Sequence, residues 1–352
     1  MSARKRNSSS GKVPRNGGIS EWSTERLERE IAKDLPPNPK LEHLCDLIFR
    51  HDDAPPLLLH YTVEKTAKNV IRTTSLWAFD AYELKDTQEV NYACGLLMEQ
   101  IRGRHAYFLR RGEHLFADLC AVLEKTLASP RDCYPAVFVF CLTENIGAER
   151  HWQEYASNEG YALGFRFGTP WTLGLSVPTD KDTRLEADAV IRRVVYDPSL
   201  QRRMLDDVLD TFLGVFSISP WRAGATASDS LPAYLTKQFV ENFKDFASRV
   251  VVSIKAPGYK HEREWRVIVA PRPGVLEDDF RRPMGWIRTR LLEGEERRYA
   301  VLVPHQGGLL PLCSMIAGPG CAADAKKSVG DALRRRGYSF PVTELPNRTA
   351  VL

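Results

Sequence analysis

The chain has 352 residues, 43% hydrophobic and 27% charged, a balance that suits a soluble globular protein of one large domain with an extension, or of two domains. No apolar run approaches the roughly 18 residues of a membrane helix, and no apolar stretch follows the basic N-terminus, so neither a span nor a secretory leader is expected. The net charge of +4 owes everything to Arg4, Lys5, Arg6, Lys12 and Arg15. Without these five the body stands at −1, and charge alone makes no case for nucleic acid in the folded part.

Residues 1–20, rich in Ser, Gly, Asn, Lys and Arg, read as a disordered basic tail. Residues 21–55 read as an N-terminal helical extension. Trp22, Leu27 and Ile31 mark one helix, three prolines (Pro36, Pro37, Pro39) break it, and Leu41, Leu44, Leu47 and Ile48 mark a second. This extension is a candidate docking surface for a protein partner. The main domain then runs over 56–348.

That domain opens on Leu57, Leu58 and Leu59, a short apolar strand that carries His60, Tyr61 and Thr62 at its far end. Thr62 is expected to cap a helix built on Ala67, Val70 and Ile71. A second short strand follows at Leu76–Phe79, and Tyr82–Glu89 is polar and loop-like. Helical spacing runs over residues 89–127, through Leu96, Leu97, Ile101, Leu115, Leu119, Val122 and Leu123. Strands are predicted at Val137–Leu142, Tyr161–Phe167, Ala189–Tyr196, Tyr299–Val303, Leu312–Ile316 and Ser339–Glu344. Helices are predicted near Ser199–Val215, Ala233–Phe246 and Ala322–Arg335, with a loop at Trp221–Ser230. Strands broken by irregular helical insertions, without a βαβ rhythm, predict an α+β fold.

The seven cysteines are odd in number, scattered and without a CxxC pair, as in a reduced cytosolic protein, so no disulfide framework and no zinc site is expected. His151, His261 and His105 form no metal spacing, and HExxH and GxSxG are absent. No metal is expected, and the cytoplasm is the expected compartment.

The richest chemistry lies in Glu262-Arg263-Glu264-Trp265-Arg266. On a strand, alternation would put Glu262, Glu264 and Arg266 on one side. Two carboxylates about 7 Å apart beside a guanidinium suit the stabilisation of a developing cation, although a salt-bridged edge strand has the same composition. His60 at a strand end and the Trp152–Tyr155 pair at a helical turn carry similar alternatives, a satisfied histidine and core aromatics.

Taken together, these pieces resemble the bacterial family catalogued as domain of unknown function 2971. The resemblance rests on His60-Tyr61-Thr62, Leu76-Trp77, Lys85–Glu89, Phe140–Thr143, Trp152–Tyr155, Glu262–Arg266 and Val342–Arg348. The chain departs from the family pattern at Lys85-Asp86, where Asn-Asp is usual, and at Cys141-Leu142-Thr143, where a serine follows the phenylalanine. The opening unit is in turn similar to that of ADP-ribosyltransferases, which implies a split, mixed or antiparallel β-sheet whose cleft holds NAD as substrate.

By that resemblance Glu264 is the catalytic glutamate, Glu262 completes an ExE-like pair, and His60 holds the nicotinamide ribose. Tyr155 or Tyr61 would stack on nicotinamide, with Thr62, Trp77, Thr143, Trp152 and Arg266 as further cleft residues. His60 and Glu264 are therefore expected to line one cleft. The implied reaction cleaves the nicotinamide–ribose bond and passes ADP-ribose to an acceptor, protein or nucleic acid, in a toxin or phage-defence setting. A plain NAD glycohydrolase or a nucleic-acid-modifying enzyme is an alternative outcome. A non-catalytic nucleotide-sensing or protein-interaction module is the alternative from another class.

Overall fold

A computed structural model describes residues 57–84, 88–128, 136–167, 175–177, 187–217, 233–271, 287–292, 294–304 and 308–345. All of these belong to the compact unit Leu44–Leu352. The expectations for residues 1–20 and 21–55, for Lys85 and Asp86, for the Trp221–Ser230 loop and for residues 346–348 lie outside the described residues.

Strand β1 (Leu58–Thr62) leads into α1 (Glu64–Thr73) and β2 (Leu76–Asp80), followed by α2 (Gln88–Arg111) and α3 (His114–Thr126). Gly112, at φ 69°, separates the two long helices, a turn that the uninterrupted periodicity over residues 89–127 concealed. Next come β3 (Phe138–Thr143), α4 (Glu149–Ala156), β4 (Tyr161–Phe165), β5 (Leu175–Ser176) and β6 (Ala187–Arg193). Two helices, α5 (Pro198–Ser217) and α6 (Ala233–Val251), precede β7 (Glu264–Pro271), β8 (Ile287–Leu292) and β9 (Glu295–Pro304). The chain closes with β10 (Leu312–Ala317), α7 (Ala323–Arg336) and β11 (Val342–Glu344). Among the described residues no helix is long and apolar enough to cross a membrane.

The fold is α+β, with a mixed and mostly antiparallel sheet. Its main path is β11-β10-β4-β1-β3-β2-β9-β5, with β7 and β6 joined to β3 and β8 joined to β9. Among the described strands only β10 and β11 pair in parallel, with one isolated parallel bridge, Val195↔Ile254, outside the strands. The decisive feature is β3. One of its edges pairs with β7 along its whole length, from Phe138↔Val269 to Thr143↔Glu264. Its other edge is shared: β1 touches it at Leu59↔Thr143, and β2 at Phe79↔Val139 and Asp80↔Phe138. Between those contacts β1 and β2 diverge, so the sheet forks around Phe140–Leu142.

Alternation sorts the side chains into two sides. On one side Leu58, Phe138, Phe140, Leu142, Leu163, Phe165, Trp265, Val267 and Val269 join the main apolar core under α1 and α7. On the other, Leu59, Tyr61 and Ala162 pack with Trp152 and Ala156 of α4. Helix α1 buries Ala67, Val70 and Ile71 as its spacing predicts, but its N-cap is Val63, with no side-chain cap bond. Thr62 lies inside β1, paired with Tyr161, and is not the cap.

Candidate functional site

Two elements cross beneath the open end of β3. Helix α6 ends at Val251, and Val252–Ile254 is buried, which leaves Lys255 at the end of an apolar run with its stem inside the protein. A 3-10 turn then spans Pro257–Glu262, and Arg263 adopts φ 47° before β7 begins. This left-handed residue corrects the expectation that Glu262 shares the strand with Glu264 and Arg266. Glu262 belongs to the turn, and the strand starts two residues later.

The carboxylates converge nonetheless, because a lysine gathers them. Lys255 Nζ lies 2.6 Å from Glu89 Oε1, 2.5 Å from Glu262 Oε2 and 3.2 Å from Glu264 Oε2. Arg266, which is 1% exposed, grips Glu264 in fork fashion, Nε to Oε1 at 2.7 Å and Nη2 to Oε2 at 3.0 Å. The same Nη2 reaches Glu89 Oε2 at 2.6 Å, and Nη1 donates to the Val252 carbonyl at 2.7 Å. Three carboxylates and two cations thus form one closed buried network. The charges leave it one negative charge in excess, which helps to explain why its members differ so much in acidity.

Burial alone would raise the Glu264 pKa, but Arg266 and Lys255 outweigh it and bring it down from 4.5 to about 2. Glu262 goes the other way. Its burial, reinforced by repulsion from Glu264 and Glu89, outweighs the one lysine it shares and raises its pKa. Cys141, paired across the strands with Arg266, has a thiol held well above its usual range by burial and by the nearby Glu264.

The rim of this network is polar and aromatic. Tyr196 accepts the Glu264 backbone N–H at 3.0 Å, and the Lys255 ammonium lies 4.7 Å from the Tyr259 ring centre. The loop after β3 is pinned from both sides. Thr143 Oγ1 donates to the Glu262 carbonyl at 2.5 Å and accepts the Asn145 N–H at 2.9 Å, while the Tyr61 hydroxyl donates to the Asn145 carbonyl at 2.8 Å. His261, next to Glu262, receives Arg150 on Nε2 at 2.9 Å and approaches the Gly258 carbonyl through Nδ1 at 3.1 Å. Since arginine only donates and a carbonyl only accepts, the proton of neutral His261 sits on Nδ1. Tyr155, 49% exposed, stands close enough to Glu262, Lys255 and Glu264 for their charges to affect its acidity.

The sequence-predicted residues therefore divide. The sheet side that carries Glu264 and Arg266 also carries Thr143 and Tyr61, with Trp152 and Tyr155 on the helix packed there. His60 does not join them. Leu59 pairs with Thr143, so His60 points to the opposite side, where its ring lies 4.4 Å from Phe140 and its Nδ1 donates to the Cys141 carbonyl at 2.9 Å within the fork. Burial lowers its pKa, which keeps the imidazole neutral. The expectation that His60 and Glu264 line one cleft is thus corrected by strand parity. Thr62 faces the same way as His60. Trp77 shares the side of Glu264, but its partners are Tyr299 and Arg290 at the far end of the sheet.

Besides His261, a second histidine that lies on the carboxylate side is His151 of α4. Its ring sits between Tyr61 at 5.2 Å and Tyr155 at 5.8 Å, and burial lowers its pKa. Lys255 and Glu89 were the members that sequence reasoning left without a role. A charge directly after the apolar run ending at Ile254 was the available signal for Lys255. For Glu89 it was the acidic end of the Lys85–Glu89 motif, whose last two residues, Gln88 and Glu89, open α2. Comparison of the chain with protein-family models, curated proteins and solved structures yields no match.

Proposed function

We propose that the chain is an NAD-consuming enzyme of the ADP-ribosyl-transfer type, in which Glu262 is the carboxylate facing the nicotinamide–ribose bond and Tyr155 the ring that stacks on nicotinamide. The observation that carries the reading is the contrast between the two glutamates. Glu264 has both oxygens engaged by Arg266 and Lys255, which leaves it a framework residue. Glu262, buried like Glu264, has a single cation, Lys255, a raised pKa, and the exposed ring of Tyr155 close enough to feel its charge.

The chemistry follows from that placement. Breaking the bond between the ribose carbon and the pyridinium nitrogen sends the electron pair out with neutral nicotinamide and leaves positive charge on the ribose. A carboxylate fixed beside that charge stabilises the transition state more than the substrate. Such a preorganised group is worth about 3 kcal/mol, or roughly a hundredfold in rate. An acceptor hydroxyl, or water, then adds to the ribose carbon and passes its proton to Glu262, a transfer favoured by a carboxylate of raised pKa. Lys255 keeps Glu262 in position throughout.

The test is incubation of the purified chain with NAD and quantification of free nicotinamide. Turnover is expected, with Glu262→Gln lowering it about a hundredfold while thermal melting stays near that of the parent. Turnover unchanged in Glu262→Gln refutes the assignment.

A second reading is favoured by the complete ion pairing of Glu264 and by the turning away of His60: a nucleotide-binding module without turnover. NAD binding measured by calorimetry with no nicotinamide released selects this reading over the first. Absence of both binding and turnover removes the two together.

A further inference from the structure

The opposite end of the sheet carries a surface that the proposed reaction does not use. In β2, β8 and β9 the registers Trp77↔Val301, Phe79↔Tyr299, Arg288↔Tyr299 and Arg290↔Arg297 place all these side chains on one side. They form a ladder. The rings of Phe79 and Tyr299 are 6.0 Å apart, those of Tyr299 and Trp77 4.7 Å apart, and the Arg290 guanidinium carbon lies 4.8 Å from the Trp77 ring centre. Arg288 and Arg290 are exposed at the top of the ladder.

The charges of this hairpin are distributed unevenly. On the reverse side, Arg298 is neutralised by Asp80 at 2.5 Å and Glu83 at 2.9 Å. On the ladder side Arg297 has Glu295 at 3.2 Å. Arg288 and Arg290 have no carboxylate partner among the described residues. An isolated surface arginine needs no explanation, but two that lack a carboxylate partner among the described residues, above a row of tilted aromatic rings, form a recognisable chemical pattern. Guanidinium planes and aromatic faces are the groups on which unpaired bases stack, and the arginine charge meets the phosphates. A lipid surface is a poorer fit, because the exposed apolar residue of the hairpin, Leu291 at 70%, points to the other side by strand alternation.

We infer that the β2–β9–β8 face is a docking surface for single-stranded nucleic acid, with a base stacked on the Arg290–Trp77 step and backbone phosphates on Arg288 and Arg290. This goes beyond the NAD reading and does not depend on it, since binding is measured without turnover.

The experiment uses the full chain and fluorescence anisotropy, with labelled 20-nucleotide oligo-dT and oligo-U, the matched duplex, and vesicles containing phosphatidylserine as probes. Single strands are expected to bind more tightly than the duplex, with strong salt dependence. The double variant Arg288→Glu, Arg290→Glu is expected to lose tenfold or more. Its log–log salt slope should be shallower by about 1.4, since each single-strand phosphate contact contributes ~0.7. Arg290→Lys keeps the charge but not the plane, so the slope should hold while affinity falls several-fold. The basic tail is identical in every variant, so differences among them report on this face alone. Unchanged affinity in the double variant overturns the inference, as does equal or tighter duplex binding, or binding to vesicles without binding to the oligonucleotides. Arg290→Lys indistinguishable from the parent overturns the stacking contact.

Discussion

Replacing Arg266 with methionine is the sharpest perturbation of this molecule. The side chain is 1% exposed, and every guanidinium nitrogen has a partner: Glu264 on Nε, Val252 on Nη1, and both Glu89 and Glu264 on Nη2. Methionine fills much of the same volume but leaves three buried carboxylates to a single lysine. Removing one partner of a buried ion network costs about 3–5 kcal/mol, because the remaining charges stay desolvated and uncompensated. Domains are stable by roughly 5–15 kcal/mol, so the loss is a large fraction of the whole. At ~2.1 cal/mol/K of unfolding entropy per residue, a chain of 352 residues shifts by about 1.4 °C per kcal/mol, so the melting temperature should fall by roughly 4–7 °C. Urea unfolding followed by tryptophan fluorescence measures it, as a lower midpoint at unchanged slope. Arg266→Lys, which keeps the charge and loses the fork, should fall between parent and Met variant. The Arg266→Met, Glu264→Met pair should cost less than the two single changes added, since fewer charges are stranded. A Met variant within about 1 kcal/mol of the parent would refute the network as the element that holds β7 to α2 and the end of α6.

Two further outcomes follow from the same geometry. Glu264 has a pKa of about 2 in the fold against 4.5 as a free side chain, so its stabilisation is complete above pH 4.5 and is lost as pH falls toward 2. Acid unfolding followed by circular dichroism should therefore show a limb over that window, which Glu264→Gln flattens; a variant curve that keeps the parent limb contradicts the assignment. At Gly160, which ends the turn after α4, a Cβ would lie 2.2 Å from the Thr62 carbonyl oxygen and 2.8 Å from that of Ala156. Both obstacles are backbone, so Gly160→Ala should destabilise by at least ~1–3 kcal/mol in urea, and a neutral result would mean that β1 and β4 sit further apart than described.

Much of this molecule can be read along the chain, because periodicity is a local property. An apolar run, β-branched and aromatic content, and alternation located β1, β3 and β4 to within a residue or two, and the 3.6-residue spacing of Ala67, Val70 and Ile71 located α1. The Glu262–Arg266 segment announced a charge cluster in the same way. The short strand Ile287–Leu292 went unread, because its exposed, arginine-rich pattern lacks the apolar alternation that burial on one side imposes. The fork went unread for a different reason. That β1 and β2 share one edge of β3 depends on register between strands paired across 84 and about 60 residues of sequence, and the side on which His60 emerges depends on the first of these. A single left-handed residue, Arg263, takes Glu262 off the strand, and no spacing rule marks an arginine for that conformation. Arg266 meets Glu89 across 177 positions of sequence, and Lys255 joins them only because α6 ends beneath β7. Charges of that kind can be counted in the chain, but pairing them takes the fold: a buried ion is tolerable only where distant segments bring its counter-ions to the same desolvated place.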